Sequence, residues 1–449
     1  MKRNDEIMAK TLYFLGIGGI GMSALARFFM QRGDTVYGYD LTPSPITRQL
    51  EQEGARIHYD ENVEAIPAQV DFAVYTPAIP ATHAELQYFR SSSIPLYKRS
   101  QVLGHLSEGY PTLAVAGTHG KTTTTAMLAQ LFAPCRRLLA FIGGVAKNFN
   151  SNVILNPDYD TVVAEADEFD RSFLTLFPTL AIITSIDADH LDIYGDKKHL
   201  VESFQLFADQ TDKNGHLLIH EKVADQISHP HKLTYGTGEG CDFRATDIVL
   251  GDCEARFVLH TPDGQQLPVT VGVSGMHNVL NAAAACAAAL LCGLPESEIQ
   301  SQMAAFCGVK RRFDYRIKRD DLIYIDDYAH HPEEIRAILT AVKKLYADKE
   351  LTVIFQPHLY TRTRDFGPQF AEVLAIADCV ILLDIYPARE KPLPGITSQW
   401  LLDMIACDHK VLIPKTEVVT YLQDHRPQVL LTVGAGDIDR LVKPIEEGI

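Results

Sequence analysis

Thr112-Leu-Ala-Val-Ala-Gly-Thr-His-Gly-Lys-Thr-Thr-Thr-Thr-Ala-Met-Leu-Ala129 reads as strand, turn and helix. Thr112 to Ala116 is a short apolar run suited to a buried parallel strand. Gly117 and Gly120 break it, and from Thr122 the sequence can run as a helix through Leu131. Such a turn aims backbone N–H groups and a helix N-terminus at one point, which carries roughly half a unit of positive charge before any side chain is counted. Lys121 adds a full charge, and Thr122 or Thr123 adds a hydroxyl able to ligate magnesium. Gly117, Thr118, His119, Gly120, Lys121, Thr122 and Thr123 therefore form a candidate phosphate cradle. The common phosphate loop has its first glycine where this chain has Val115, so the loop is a short form. A chance glycine-rich turn is the alternative, and the ordered run of strand, Gly, Lys and Thr speaks against it.

Bulk properties bound what the cradle can serve. A chain of 449 residues predicts two to four domains, each with its own core. Hydrophobic content of 46% and charged content of 22% are ordinary for a soluble globular protein. A net charge of −16 argues against a nucleic-acid partner, which needs a basic face. The eight cysteines form no C-x-x-C pair, as expected of reduced thiols in a cytoplasmic protein. The apolar run from Thr11 to Met30 after Met1-Lys-Arg is not read as a signal peptide, because glycines interrupt it and no small-residue cleavage site follows. No other apolar stretch is long enough to span a membrane.

Residues 1–108 read as a first α/β domain of the Rossmann type. A strand over Thr11 to Gly16, a helix over Met22 to Arg32 and a strand over Thr35 to Tyr39 surround Gly16-Ile-Gly-Gly-Ile-Gly21, which meets the pattern G-x-G-x-x-G. Alone, the pattern suggests NAD and a dehydrogenase. Its glycines admit a pyrophosphate, however, and UDP-sugars carry one too. Gly18, Gly19, Ile20 and Gly21 are thus candidate contacts to a sugar nucleotide. Asp40 either holds a ribose hydroxyl or caps the next turn. Thr76 opens a loop after the strand Phe72 to Tyr75, at a strand's carboxyl end, where ligands of such sheets bind.

Ser107-Glu-Gly-Tyr-Pro111 is a turn-rich joint, and the central domain is read over 109–313. Two buried-type strands end in acids: Thr161 to Glu168, and Leu180 to Asp187-Ala-Asp-His190. Glu165 and His190 are candidate metal ligands, because magnesium takes a few protein ligands plus phosphate oxygens. Residues 240 to 275 read as short strands of a small accessory sheet. Asn278 and Asn281 share a face of an alanine-rich helix running to about Cys292. They suit an adenine edge, although spacing alone favours a helix cap for Asn278. Lys310-Arg-Arg-Phe313 is either a solvated charge run or a reach toward an ATP phosphate. The third domain, 314–449, alternates strand and helix in a doubly wound pattern. Two of its strand ends are dense in polar groups: Asp326-Asp-Tyr-Ala-His-His-Pro332, and Gln356-Pro-His-Leu-Tyr-Thr-Arg-Thr-Arg364. They are read as loops along one crevice, with a site role for His330.

Taken together, Gly16-Ile-Gly-Gly-Ile-Gly-Met-Ser-Ala24, Gly117-Thr-His-Gly-Lys-Thr122, Glu165 with Asp167-Glu168, Asp189-His190, His277-Asn-Val-Leu-Asn281, Arg311-Arg312-Phe313, Asp326 to Pro332 and Phe355-Gln-Pro-His358 with Arg362 resemble the Mur ligases across nearly the whole chain. Those enzymes form the amides of bacterial cell-wall precursors, and the likeness is to the alanine-adding branch. The resemblance implies three α/β domains: Rossmann-like for the UDP-sugar, P-loop-like with a parallel sheet for ATP, and Rossmann-like for the amino acid. It implies ATP and Mg2+ as cofactors, and UDP-N-acetylmuramate and L-alanine as substrates. Nucleic acid and membrane are not expected as partners, and a monomer or homodimer is. It also implies phosphorylation of the lactyl carboxylate, attack of the alanine amine on the acyl phosphate, and release of phosphate.

Residue by residue, the likeness assigns Lys121, His330, Tyr328 and Arg362 to catalysis and the amino acid. Thr122, Glu165 and His190 fall to the metal, Asn278 and Asn281 to adenine, Arg312 to ATP, and Asp327 to its ribose. Two features depart from some relatives. Leu359 stands where they carry an arginine, with Arg364 as a possible substitute. Ser203-Phe204-Gln205 offers no lysine for modification, which agrees with the alanine-adding branch. The rivals are a recycling ligase that attaches a tripeptide to the same sugar, and the dehydrogenase suggested by Gly16 to Asp40.

Overall fold

The protein is seen in a computed structural model, which describes residues 9–187, 196–388 and 390–449. Short apolar segments separated by helices build three sheets. In the first, the strands lie in the order Arg56–His58, Thr35–Tyr39, Thr11–Leu15, Phe72–Tyr75 and Leu96–Lys98, all parallel. The chain fills one side of Thr11–Leu15 before it crosses to the other. The switch in direction therefore falls between Thr11–Leu15 and Phe72–Tyr75, and a crevice opens there at the carboxyl ends. Gly16–Gly19 and Thr76 lie at its mouth.

The second sheet has ten strands among the described residues: Gln266–Val271, Ala255–His260, Phe243–Leu250, Lys232–Gly236, His216–His220, Leu180–Ile183, Thr112–Ala116, Thr161–Glu165, Leu138–Ala146 and Ser151–Leu155. The strands at 240–275 do not make a separate accessory sheet. Tyr235–Gly236 pairs in parallel with Phe243–Arg244 and carries the main sheet on into an antiparallel extension. The reason is packing. The helix Met276–Leu291 presents an alanine-rich face, and Phe243, Ala245 and Phe257 share a buried cluster with it and with the helix Lys121–Phe132.

The first two sheets share a core. Phe28 and Phe29, on the helix Ile20–Gln31, belong to the same buried cluster as Leu139, Phe141 and Val153 of the second sheet. Phe28 lies 6.5 Å from the Phe141 ring and 6.4 Å from that of Tyr159. Arg27 donates to Asn152 at 2.9 Å. Residues 1–309 accordingly form one compact unit, and 310–449 form another.

The second unit holds a six-stranded sheet in the order Asp314–Lys318, Ile323–Asp327, Val429–Val433, Leu351–Phe355, Cys379–Leu382 and His409–Leu412. Only the first strand is antiparallel to its neighbour. One reading needs correction here: Gln356 to Arg364 is not a loop throughout. The helix begins at Tyr360 and runs to Leu374, so Arg362 and Arg364 lie in its first turns. Leu359 makes the bend with φ at 71°, and its carbonyl accepts from the Thr363 hydroxyl at 2.7 Å. Gly367 and Pro368 sit inside the helix. Gly367 is needed there because a Cβ would stand 2.5 Å from the Trp400 ring. No helix among the described residues is long and apolar enough to cross a membrane.

Candidate active site

Three strand ends converge on the turn after Thr112–Ala116, because that buried strand pairs in parallel with Thr161–Glu165 and Leu180–Ile183. Gly117 and Gly120 take φ of 139° and 82°, values that side chains disfavour. A Cβ at Gly117 would collide with the Thr184 hydroxyl, and one at Gly120 would stand 2.7 Å from Asn281 Oδ1. Hydroxyls brace the turn. Ser185 Oγ accepts from His119 N at 2.8 Å and lies 2.9 Å from Thr118 Oγ1. Thr184 Oγ1 donates to the carbonyls of Ala116 and His119. Thr184 and Ser185 were missed as site residues, although two hydroxyls directly after an apolar strand were a visible signal.

The helix Lys121–Phe132 starts at this turn. Lys121 Nζ donates to Gly117 O at 2.7 Å and to Glu168 Oε1 at 2.8 Å. The Glu168 side chain is fully buried. Burial opposes charge on Lys121, but Glu168, Asp167 and Glu165 outweigh it and raise its pKa, so the ammonium is retained. A fixed cation thus stands at a helix N-terminus ringed by hydroxyls, which is what a polyphosphate requires.

Thr122 and Glu165 each pack against one of two adjacent glycines of the strand Leu138–Ala146. Gly143 N donates to Glu165 Oε2 at 2.9 Å, and a Cβ on Gly143 would collide with that carboxylate. A Cβ on Gly144 would stand 3.0 Å from Thr122 Cγ2. The Thr122 hydroxyl and the Glu165 carboxylate are hard oxygen donors, the kind that magnesium takes beside several waters and phosphate oxygens. His190, the third expected ligand, lies outside the described residues, as does Asp189. Asn278 and Asn281 are both buried. Asn278 Nδ2 donates to Ser274 O at 2.7 Å, so part of its amide is used locally. Asn281 faces Gly120 of the turn.

In the first-sheet crevice, Gly16 has φ of 83°, and a Cβ there would stand 2.7 Å from Thr76 Cγ2, so turn and strand-end loop are in contact. Asp40 Oδ2 accepts from Gly18 N at 2.8 Å. Its other oxygen takes a long bond from Thr42 N at 3.4 Å. Beside the two roles read for Asp40 the structure shows a third, bracing of the preceding glycine turn, while its bond toward the next turn is long; burial raises its pKa. Gly19 and Ile20 lead into the helix Ile20–Gln31, which has no acid in its first turn. Two residues here escaped the sequence. Leu41 is 64% exposed beside Asp40, an apolar surface at the crevice. Arg99 packs its guanidinium against Gly21; no local pattern marks it.

In the second unit, Arg311 and Arg312 each hold a guanidinium carbon 5.2 Å from the Tyr328 ring centroid. Arg311 and Phe313 both have positive φ, 62° and 47°, and such non-glycine strain concentrates at functional turns. The basic run is thus not a solvated charge run. Asp327 accepts from Phe313 N at 2.7 Å and Ala329 N at 2.8 Å, which leaves one lone-pair direction on each oxygen. Asp326 accepts from Thr432 Oγ1 at 2.6 Å and pairs with Arg311 at 3.3 Å. Burial pushes its pKa up to about 6, against the pull of Arg311.

His330 Nδ1 lies 3.0 Å from Tyr328 O. A carbonyl only accepts, so Nδ1 carries the hydrogen and Nε2 keeps a lone pair. Burial lowers the His330 pKa against the pull of Glu334, and the positive charge of Arg362 adds to the lowering. Glu334 Oε2 accepts from His330 N and His331 N and fixes this turn. Arg362 Nη1 is buried with no hydrogen-bond partner among the described residues. A buried guanidinium nitrogen left unmatched beside a neutral imidazole suits a small carboxylate ligand. Glu390, from another loop, caps the same helix start by accepting from Thr361 N at 2.9 Å.

Known proteins align with the whole of this arrangement. Residues 11–111 match the Mur ligase family, catalytic domain; 115–289 match the Mur ligase middle domain; and 311–438 match the Mur ligase, glutamate ligase domain. The UDP-N-acetylmuramate–L-alanine ligase of Phocaeicola vulgatus is 46% identical over 98% of both chains. That of Parabacteroides distasonis is 46% identical over 97% of this chain and 96% of its own. Among solved structures, the UDP-N-acetylmuramate–alanine ligase of Thermotoga maritima superposes with a TM-score of 0.83 at 27% identity, covering 98% of each chain. A murein peptide ligase from Psychrobacter arcticus gives 0.72 at 22% identity, a likeness of fold.

Proposed function

The chain belongs to the Mur ligase family, and we propose that it is the ATP-dependent ligase that joins L-alanine to the lactyl carboxylate of UDP-N-acetylmuramate, a step in peptidoglycan precursor synthesis. The observation that carries the reading is the Gly117 turn with its buried Lys121–Glu168 pair, in a chain 46% identical end to end to enzymes of that name. The sugar nucleotide belongs to 1–108, ATP to 109–313 and the amino acid to 314–449.

A carboxylate is a poor acyl donor, so its oxygen must first become part of a leaving group. The lactyl carboxylate attacks the γ-phosphorus of ATP, the bond to the bridging oxygen breaks, and ADP leaves. Phosphoryl transfer asks for alignment and charge neutralisation more than for covalent help. At about 4 Å and an effective dielectric near 20, one charge pair is worth roughly 4 kcal/mol, and two anions meet here. Lys121, the helix N-terminus and the backbone N–H groups of 117–120 hold the phosphates. Thr122 and Glu165, with His190, would hold magnesium, which neutralises phosphate charge when bound. Asn278 and Asn281 contact adenine, and the family likeness gives Arg312 and Asp327 to ATP as well.

The alanine carboxylate pairs with Arg362, beside Tyr328. Its ammonium must lose a proton before it can attack the acyl carbon, and the Nε2 lone pair of His330 can accept it. The amide forms and phosphate departs. Gly18, Gly19, Ile20, Gly21 and Thr76 hold the UDP moiety, with Asp40 bracing the turn. The protein acts in the cytoplasm as a monomer or homodimer. Leu359 fills the place of one arginine of some relatives, which leaves Arg362 as the main grip on the amino-acid carboxylate.

Phosphate release with ATP, Mg2+ and UDP-N-acetylmuramate, measured across amino acids and the recycling tripeptide, tests the reading. L-alanine is expected to drive release. Release with the tripeptide alone would reassign the protein to recycling. Binding of NADH with no turnover of ATP would return it to the dehydrogenase class.

A further inference from the structure

One cation in the first-sheet crevice has unspent hydrogen-bonding capacity. Arg99 opens the helix Arg99–Ser107, which follows the last strand of the first sheet. Its guanidinium lies on Gly21, where a Cβ would stand 2.8 Å from Nη1 and 3.0 Å from Cδ. Its polar contact is Asp167 Oδ2, 3.6 Å from Nη2, which is too long for a hydrogen bond. Among the described residues the guanidinium makes no hydrogen bond, although its side chain is only 23% exposed. Five rigid donors in a half-buried place, held by one loose ion pair, suit an incoming oxyanion.

The position is specific. Gly21 is the last glycine of the turn that faces the sugar nucleotide. Asp167 lies two residues beyond the strand Thr161–Glu165, and its charge also reaches Lys121. Arg99 therefore stands between the two places where the functional reading puts anions: the UDP pyrophosphate and the acid cluster beside ATP.

We propose that Arg99 is a binding residue for the sugar nucleotide, held by Asp167 until the ligand arrives, and that its guanidinium then exchanges Asp167 for an anionic oxygen of UDP-N-acetylmuramate. The inference rests on the UDP-sugar reading of the first domain. It makes Asp167 a competitor of the ligand rather than a support for it, so the two side chains must have opposite effects on affinity. The oxygen belongs either to the pyrophosphate or to the lactyl carboxylate, and UDP, which lacks the second, separates them.

Calorimetric titration of the full chain with UDP-N-acetylmuramate and with UDP tests this in the wild type, Arg99→Gln, Asp167→Asn and the double variant. Gln keeps much of the stem over Gly21, and a wild-type far-UV circular dichroism spectrum of each variant serves as the check on folding. Arg99→Gln should weaken UDP-N-acetylmuramate about ten- to a hundredfold. Asp167→Asn should tighten it about two- to fivefold, and only while Arg99 is present. A parallel loss with UDP assigns the pyrophosphate, and a loss confined to the full substrate assigns the carboxylate. Wild-type affinity in Arg99→Gln, or weaker binding in Asp167→Asn, would overturn the proposal. A wild-type protein that binds neither ligand would instead remove the UDP-sugar reading itself.

Discussion

The Gly16 turn and the Gly117 turn begin alike and end differently. Each follows a buried parallel strand, each uses a glycine with positive φ, and each leads into a helix of 12 residues. Around Gly117 the side chains are charged and interlocked: Lys121 on buried Glu168, Ser185 on His119 and Thr118, Thr184 on two carbonyls. Around Gly16 they are sparse: Asp40 on the N–H of Gly18 and loosely on that of Thr42, Thr76 in van der Waals contact, and Arg99 without a hydrogen bond among the described residues. The difference separates holding a phosphate from moving one. A ligand that is only held can be met by backbone N–H groups and one adaptable cation. A phosphoryl group in flight needs charges already fixed, because reorganising them during the reaction would add to the barrier.

The contrast is broken most directly by Lys121→Ala. ATP-dependent phosphate release should fall by about a thousandfold or more, as expected when a main source of charge stabilisation is lost. Affinity for UDP-N-acetylmuramate should stay within about twofold, since the other turn carries it. Stability will fall too, because Glu168 is left buried without its cation, at a cost of about 3–5 kcal/mol. Adding Glu168→Gln should restore the thermal midpoint and leave turnover absent. Equal loss of ATP and sugar-nucleotide binding in the refolded double variant would show that the two turns are not separate sites.

The next largest effect asks whether pairing or burial sets the character of a buried acid. Lys121 meets Glu168 at 2.8 Å and Arg311 meets Asp326 at 3.3 Å; burial raises the pKa of both acids against their cations, and that of Asp326 is pushed up to about 6. The sign follows from linkage. Between about pH 4 and pH 6 the folded chain keeps a proton on Asp326 that the unfolded chain has released, so this group's contribution to stability falls as pH rises through the folded value. The span corresponds to about 3 kcal/mol. Asp326→Asn should remove it, so that denaturant midpoints of variant and wild type diverge in the variant's favour from pH 4 to pH 7. Parallel curves across that range would mean that Arg311 holds Asp326 charged throughout.

What the sequence disclosed follows the same division. The Gly117 turn was legible because its chemistry is consecutive: strand, glycines, lysine and threonines occupy one run, and local residues decide local geometry. The alternation of strand and helix in 314–449 was legible for the same reason. The extension of the central sheet through Phe243–Leu250 was not, since it depends on Tyr235–Gly236 pairing onward rather than on any pattern within 240–275. The early start of the helix Tyr360–Leu374 was hidden by the polar run Gln356 to Arg364 and by Gly367 and Pro368 inside the helix; what calls for Gly367 is the Trp400 ring, distant in sequence. Arg99 was invisible because its partners, Gly21 and Asp167, lie in other elements on either side of it in the chain.

The smallest effect is the most discriminating. In the dinucleotide pattern the last glycine serves close helix–strand packing, and on that account Gly21→Ala should destabilise the fold. Here the neighbour of Gly21 is the end of a flexible arginine, 2.8 Å from where the Cβ would stand, and Gly21 lies within the helix Ile20–Gln31 without a positive φ. Alanine favours a helix interior over glycine by about 0.5–1 kcal/mol, and Arg99 can swing aside. Gly21→Ala should therefore leave the thermal midpoint unchanged or raise it slightly while weakening UDP-N-acetylmuramate a few-fold, and the weakening should vanish in an Arg99→Gln background. A lowered midpoint with unaltered affinity would mean that the glycine serves packing, and that the resemblance of this turn to a dinucleotide site extends to the reason for its last glycine.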